Sequence, residues 1–247
     1  MTNGPEIRRF NGIEDMSEAA AGLIVARTGE KAANGKPFSL ALSGGNTPRR
    51  LYQLLASDAF SAQLPWQQIH LFQVDERCVP PDHSLSNFRM IREELLDRVP
   101  AAKSGFHRME AERPDLDQTA RDYANELAHI LQPAPGQVPR LDLVLLGMGN
   151  DGHTASLFPA SKAPAEMKLW VMPNYVEKFH MNRMTLTFPV LNAAAELVFL
   201  VAGADKAETI QKVLHPGQGA PQFPAQGICP ANGQVRWYLD ADAARLI

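Results

Sequence analysis

Asp151 and His153 lie two residues apart in the glycine-rich segment GMGNDGH, residues 147–153. A histidine titrates near neutral pH and can both accept and donate a proton, and a nearby carboxylate can fix its tautomer. The segment follows the apolar run LDLVLL at residues 141–146, and its glycines allow the backbone to turn sharply. We therefore expect His153 to work in acid–base catalysis.

The same segment also matches the dinucleotide-binding pattern G-x-G-x-x-G. That pattern needs an acidic residue for the ribose about 20 residues further on, and this region reads MPN at positions 172–174. Pro159 and Pro164 prevent a long helix from following the glycines. A NAD-dependent dehydrogenase is therefore a weak alternative, and we expect no cofactor.

A second segment, SGGNTP at residues 43–48, has the composition of a phosphate-binding loop. Gly44 and Gly45 let the backbone approach a ligand closely, and a helix predicted to begin near Thr47 directs free N–H groups toward it. Ser43 and Thr47 add hydroxyl donors. The chain has no G-x-x-x-x-G-K-[ST] sequence. We expect a phosphate site without a Walker lysine, with an ordinary tight turn as the alternative.

A third segment, DERCVPPDH at residues 75–83, directly follows the apolar run IHLFQV. Asp75 is a candidate base or orienting acid, and Arg77 can bind a phosphate or a developing oxyanion. The alternative is a solvated loop in which the two side chains merely pair. Either Asp75 or Asp151 can orient His153, and the sequence does not decide between them.

The other histidines do not cluster, and no metal-binding spacing of His and Cys occurs, so we expect no metal. His70 is assigned to a strand, and His83 shares a segment with Arg77. We expect the remaining four at the surface: His107, His129, His180 and His215.

Apolar runs alternate with helical patterns along the chain. Strands are predicted at 38–42, 69–74, 141–146 and 197–201, and helices over 15–33, from Thr47, and over 86–98, 115–131 and 204–214. Near-continuous apolar strands are typical of sheets with helices on both faces. The pattern predicts one α/β domain over residues 1–247, with a doubly wound, mostly parallel, Rossmann-like sheet that binds ligands at the carboxyl ends of its strands.

Composition excludes several classes of function. The chain has 24 Lys+Arg against 27 Asp+Glu, a net charge of −3, so we expect no nucleic-acid partner. No apolar run reaches membrane-spanning length, and MTNGPEIRRF lacks the apolar stretch of a signal peptide. Cys78 and Cys229 favour a reducing compartment. We expect a cytoplasmic protein without membrane contact, and the composition is compatible with a monomer. Residues 132–139 and 215–226, rich in Pro, Gly and Gln, are predicted to be flexible.

Taken together, the three segments resemble the 6-phosphogluconolactonase family. The matching stretches are LALSGGNTPRRLY, FQVDERCVPPDHSLSNFRMIREEL, LDLVLLGMGNDGHTASLFP and MTLTFPVLNAAAELVFLVAGADKAE, within residues 38–214. The resemblance implies hydrolysis of 6-phosphoglucono-δ-lactone to 6-phosphogluconate in the oxidative pentose phosphate pathway, without metal or cofactor. The implied partner is this small sugar-phosphate lactone.

The resemblance also implies roles for individual residues. His153 matches the family's proposed catalytic histidine, with Asp151, Asp75 and Arg77 beside it as catalytic candidates. The candidate phosphate- and substrate-binding residues are Ser43, Gly44, Gly45, Thr47, Asn87, Arg183 and Lys206. Arg183 precedes a strand predicted at 184–188 and Lys206 opens a predicted helix, so we expect both to reach one pocket.

Two alternatives remain open. The related glucosamine-6-phosphate isomerase/deaminase family shares the fold and the DGH segment, but typically has DEY and AFNEP-like sequences where this chain has DER and ASLFP. A non-catalytic sugar-phosphate-binding module is the other, although the segment before Phe38 leaves little room for a DNA-binding helix-turn-helix. Both are weaker than a lactonase.

Overall fold

The computed structural model describes residues 4–217 and 222–247, in which ten strands form two sheets. The strands are β1 (Glu6–Phe10), β2 (Phe38–Leu42), β3 (Ile69–Gln73), β4 (Asp75–Arg77), β5 (Phe106–His107), β6 (Leu143–Leu146), β7 (Val171–Val176), β8 (Met181–Leu186), β9 (Glu196–Val201) and β10 (Gln234–Asp240). The α-helices of these residues are α1 (Ile13–Ala32), α2 (Thr47–Leu55), α3 (Asp58–Ser61), α4 (Asn87–Ile91), α5 (Pro100–Lys103), α6 (Leu116–Leu131), α7 (Phe188–Ala193) and α8 (Ala207–Leu214).

The large sheet is parallel throughout, with the order β1-β10-β9-β6-β2-β3-β5. Chain order reverses between β2 and β6: β3 and β5 extend the sheet on one side, and β9 and β10 on the other. In doubly wound sheets ligands bind at the carboxyl ends of the strands where the order reverses. The loops that follow β2 and β6 meet at this point, and the predicted sheet is confirmed.

Each face of the large sheet is covered by its own hydrophobic cluster. Val144 and Leu146 of β6 pack in a cluster with α6, α7 and α8. Leu143 and Leu145 of the same strand pack in a second cluster with α1 and α2. Because successive side chains of a strand point to opposite faces, a strand covered on both sides needs a continuous apolar run. The predicted helices on both faces are confirmed.

The second sheet is antiparallel, with the order β4-β8-β7, and the sequence did not predict it. Its strand β8 begins at Met181, so the strand predicted at 184–188 was misplaced and Arg183 lies inside the strand. The start of β8 is polar and carries no apolar pattern that would predict a strand. Its residues are held in the strand by backbone pairing with β4 and β7. Pro189 lies in the first turn of α7, which begins after Thr187, so the strand ends earlier than predicted.

Other local predictions fared differently. The helix predicted over 86–98 is α4 followed by a π-helical turn at 92–96. His107 is not a free surface residue: it lies in β5, partly buried, with its ring stacked on Phe72 at 4.6 Å between centroids. Residues 218–221 of the predicted flexible segment 215–226 lie outside the described residues.

In the part of the chain that the structure describes, no helix is both long and apolar enough to cross a membrane.

Candidate active site

A cavity of about 370 Å³ opens at the reversal point of the large sheet. Ten of the eleven predicted site residues line it: Ser43, Gly44, Gly45, Thr47, Asp75, Arg77, Asn87, His153, Arg183 and Lys206. The eleventh, Asp151, contacts His153. Within residues 4–217 and 222–247, no three His, Cys, Asp or Glu side chains are grouped to hold a metal ion. The fold therefore brings six separate stretches of chain to one cavity.

His153 and Asp151 form a hydrogen-bonded pair in the loop after β6. The imidazole Nδ1 lies 2.5 Å from Oδ1 of Asp151. The loop is closed by two backbone bonds, from Gly149 N–H to the His153 carbonyl at 2.9 Å and from Gly152 N–H to the Gly149 carbonyl at 3.0 Å. A carboxylate at Nδ1 holds the proton there, which leaves Nε2 as the basic nitrogen.

The environment of Asp151 keeps it ionised. Burial alone would raise the pKa of Asp151, but the hydrogen bond and charge of His153, together with a hydrogen bond from Lys178, bring that pKa well below its usual value. Asp151 is therefore a carboxylate across the neutral pH range and can hold the imidazole in one tautomer and orientation.

Asp75, the other acid that the sequence offered for this role, is engaged elsewhere. Its Oδ2 accepts a hydrogen bond of 2.6 Å from the Ser156 hydroxyl, and its Oδ1 accepts one of 3.2 Å from the Asn87 amide. Asp75 is buried against the cavity wall. The geometry thus gives Asp151 the contact with His153 and gives Asp75 the task of holding Asn87.

Glu76 is a buried residue that the sequence analysis did not select. Its carboxylate accepts hydrogen bonds of 2.7 Å from the backbone N–H groups of Asn87 and Phe88, at the start of α4. Burial raises the pKa of Glu76, although these bonds act in the opposite direction. Asn87 in turn packs on Gly44, where a Cβ atom would lie 1.7 Å from the amide oxygen. By binding these N–H groups, Glu76 fixes the start of α4 in the cavity wall. Glu76 lies more than ten residues before Asn87 in the chain, so sequence spacing does not predict this contact.

Arg77 and Arg183 lie directly opposite each other on β4 and β8. Arg183 is only 8% exposed, and burial lowers its pKa below the usual value. The Nε atoms of both are buried without a hydrogen-bond partner among the described residues. Like charges that face each other across a strand pair repel, so an anion between them would be strongly attracted.

The start of α2 provides further anion-binding groups. No side chain among the described residues caps this helix, and Gly45, with a φ of +102°, turns the backbone ahead of it. The Tyr52 hydroxyl donates a 2.6 Å hydrogen bond to the Ser43 carbonyl and fixes the loop. Free N–H groups at a helix N-terminus favour negative charge. Lys206, immediately before α8, adds a cation to the same cavity.

Part of the segment 215–226 packs against the loop that carries Asp151 and His153. The Ala225 N–H donates a 2.9 Å hydrogen bond to the Gly152 carbonyl. The Phe223 ring occupies the space where a side chain on Gly152 would begin, with a carbon 2.5 Å from an ideal Cβ. Gly152 also has a φ of +72°, which glycine adopts without strain. Residues 223–225 therefore support the loop that carries His153, a role the sequence left open.

Comparison with known proteins identifies the family of this chain. A family model described as glucosamine-6-phosphate isomerases/6-phosphogluconolactonase matches residues 12–237. The chain belongs to this family. It is similar to a 6-phosphogluconolactonase of a Synechocystis species, with 41% identity over 240 residues and 97% of each chain covered. It also resembles the crystal structure of 6-phosphogluconolactonase from Leishmania guyanensis, with a TM-score of 0.87, 31% identity and 98% of each chain covered.

The fold by itself does not separate the activities that the name of the glucosamine-6-phosphate isomerase/6-phosphogluconolactonase family covers. A monomeric glucosamine-6-phosphate deaminase matches with a TM-score of 0.81 at 21% identity, over 98% of this chain and 100% of the other. The identity is too low for this likeness to show more than the fold. The choice of reaction therefore depends on the more similar relatives and on the site.

Proposed function

We propose that this chain is a 6-phosphogluconolactonase, which hydrolyses 6-phosphoglucono-δ-lactone to 6-phosphogluconate in the oxidative pentose phosphate pathway. The observation that carries the proposal is the Asp151–His153 pair in a cavity that also contains Arg77 and Arg183. A base beside two arginines that form no ion pair with any described residue fits a substrate that has both an ester carbonyl and a phosphate. The lactonases at 31% and 41% identity support the same reaction.

In the proposed mechanism, Nε2 of His153 takes a proton from water as the water oxygen attacks the lactone carbonyl. Arg77 stabilises the oxyanion of the tetrahedral intermediate. The bond between the carbonyl carbon and the ring oxygen then breaks, and the imidazolium returns its proton to the departing ring oxygen. A lactone is an activated ester, so this scheme needs only side chains of the chain and no covalent nucleophile.

The substrate phosphate is assigned to the cations and N–H groups of the cavity. Arg183 and Lys206 supply charge, and residues 43–47 supply backbone and hydroxyl donors at the start of α2. Asn87 lies between this loop and Asp75, where it contacts Gly44. Charge-assisted hydrogen bonds to the phosphate then provide much of the affinity.

We also propose that the chain works in the cytoplasm on this small molecule. Cys78 and Cys229 are both free in the structure, as is usual where thiols are kept reduced. The net charge of −3 offers nucleic acid no overall attraction.

The proposed activity is tested with lactone generated in place by glucose-6-phosphate dehydrogenase, with glucosamine 6-phosphate supplied in a parallel reaction. We expect lactone loss well above the spontaneous rate and no consumption of the amino sugar. Consumption of the amino sugar alone would assign the chain to the isomerase/deaminase activity. Ligand-induced thermal stabilisation without turnover of either compound would indicate a binding module.

A substitution at Gly149 tests the catalytic loop without removing a functional group. A Cβ atom here would lie 2.1 Å from Nδ1 of His153 and 2.7 Å from Oδ1 of Asp151. We expect Gly149→Ala to separate His153 from Asp151 and to lower kcat about 10²-fold. This is the lower end of the range for loss of general acid–base catalysis. Gly29→Ala is the matched control, because a Cβ at Gly29 in α1 meets nothing within 4 Å. Equal kcat values for the two variants would contradict the assigned pair.

A further inference from the structure

The turn between β7 and β8 reaches the catalytic pair from the side opposite the imidazole. Lys178, in the 3-10 turn Glu177–Phe179, donates a 2.9 Å hydrogen bond from Nζ to Oδ2 of Asp151. His153 uses the other oxygen, Oδ1. The side chains of Lys178, Asp151 and His153 are therefore linked by consecutive hydrogen bonds. Lys178 takes no part in the proposed mechanism.

The same turn also supports the imidazole ring. Phe158 stacks on His153, with ring centroids 3.9 Å apart and planes 22° apart. Phe179 meets the edge of Phe158 at 5.7 Å, and the Lys178 ammonium lies 5.5 Å from the Phe179 ring centre. The turn thus touches both members of the pair, through Lys178 at the carboxylate and through Phe179 and Phe158 at the ring.

We propose that Lys178 is a positioning residue for lactone hydrolysis, which shares the Asp151 carboxylate with His153 and limits the negative charge that this carboxylate presents to the imidazole. The inference rests on the proposed function. A carboxylate without the Lys178 contact would stabilise the imidazolium more strongly. Since the base must be neutral to accept a proton from water, an Asp151 that is shared with Lys178 favours the working form of His153.

The electrostatic setting lets this contribution be isolated. Among the described residues, the other charged or titratable groups that line the cavity or flank the turn are Asp75, Arg77, Arg183, Lys206, Glu177 and His180, and Glu76 lies buried behind Asn87 in the cavity wall. Arg183 packs on Phe158 and Phe179, with its guanidinium carbon 5.1 Å and 4.9 Å from the two ring centres. Asp75 is held by Ser156, and Glu177 and His180 are exposed and contact each other. A substitution at Lys178 leaves all of these groups in place, so a changed pH profile reports on the lysine.

The experiment compares the dependence of kcat/KM on pH in the wild type and in Lys178→Met, Lys178→Arg and Lys103→Met. We expect the acid limb of Lys178→Met to move to higher pH by about 0.5–1 unit, the size expected for loss of one partly screened charge. At the acid end kcat/KM should fall about 3- to 10-fold, and the plateau at higher pH should be retained. Lys178→Arg keeps the charge, and Lys103 is exposed in α5 and does not line the cavity, so both variants should follow the wild type.

A Lys178→Met profile that coincides with the wild type would overturn the inference, as would an equal loss of kcat/KM at every pH. Failure of the proposed function is a separate result, since the wild type would then not accelerate lactone loss at all. In that case the ring proton resonances of His153 are followed by NMR titration in the same variants. A displaced titration in Lys178→Met supports the role of the lysine without any turnover, and an unchanged one refutes it.

Discussion

Replacing His153 with alanine or asparagine is expected to lower kcat for lactone hydrolysis by about 10²–10⁴-fold, the range for loss of a general acid–base group. The imidazole is the one group in the proposed scheme that both takes the proton from water and returns it to the ring oxygen. Its side chain is partly exposed and bonded mainly to Asp151, so the fold should tolerate its loss. The rate is measured with enzymatically generated lactone after subtraction of the spontaneous hydrolysis.

The control for this variant is His129→Ala, which removes an exposed histidine from α6. It should leave kcat unchanged, and all three variants should retain the circular dichroism spectrum of the wild type. An undiminished kcat in His153→Ala would remove His153 from the mechanism. A fall accompanied by loss of the spectrum would show a structural defect, and His153→Asn then decides, because it keeps a polar side chain in the loop.

The main site segments were predictable because each of them follows an apolar strand. In a parallel sheet the carboxyl ends of β2 and β6 lie at the same edge, so the glycines after each strand had to meet there. The composition of residues 43–47 and 151–153 then indicated what each loop could do. Local sequence and one rule of topology were enough to place His153 near a phosphate-binding loop.

The contacts that organise the site were not predictable, because they join residues with no common pattern. Glu76 looked like one of three charged residues after a strand, yet it is buried and binds the start of α4. Lys178 lies 27 residues from Asp151 in the chain. The choice of Asp151 over Asp75 depended on how tightly the loop at 149–153 turns, which spacing alone does not fix.

The missed strands have a related cause. Residues 6–10 read EIRRF, and they lie at the edge of the large sheet, with only β10 as a neighbour. An edge strand needs few apolar side chains, so its sequence carries little signal. The short strand β4 is defined by its pairing with β8, and the polar start of β8 is defined by its pairing with β7 and β4. Arg183 was therefore placed before its strand, although its assignment to the cavity agrees with the structure.

Arg183→Met is expected to raise KM for the lactone by about 10- to 100-fold, with a smaller effect on kcat. A hydrogen bond to a charged group contributes about 1.5–3 kcal/mol, and each 1.4 kcal/mol corresponds to about a tenfold change in affinity. Arg183 faces Arg77 across the strand pair, where a bound phosphate would offset the repulsion between them. Lys206→Ala should act in the same direction but less strongly, because Lys206 already pairs with Asp205.

The same substitution should not lower the thermal stability of the free protein. Burial lowers the pKa of Arg183, which means that the folded state disfavours the charged form relative to the unfolded chain. Replacing the guanidinium with an apolar side chain of similar length removes that cost, and the methionine thioether can pack on the Phe158 and Phe179 rings that the guanidinium now covers. A residue that was buried for stability would behave in the opposite way, so KM and Tm together separate the two roles.

The test compares the KM values of the wild type and Arg183→Met for the lactone. It also compares their melting curves, each recorded with and without 6-phosphogluconate. We expect the product to raise the Tm of the wild type and to have little effect on Arg183→Met, since stabilisation by a ligand follows its affinity. Arg121→Met, an exposed arginine on α6, should match the wild type in both measurements. A normal KM with a lowered Tm would show that Arg183 stabilises the second sheet, β4-β8-β7, and that the phosphate binds elsewhere in the cavity.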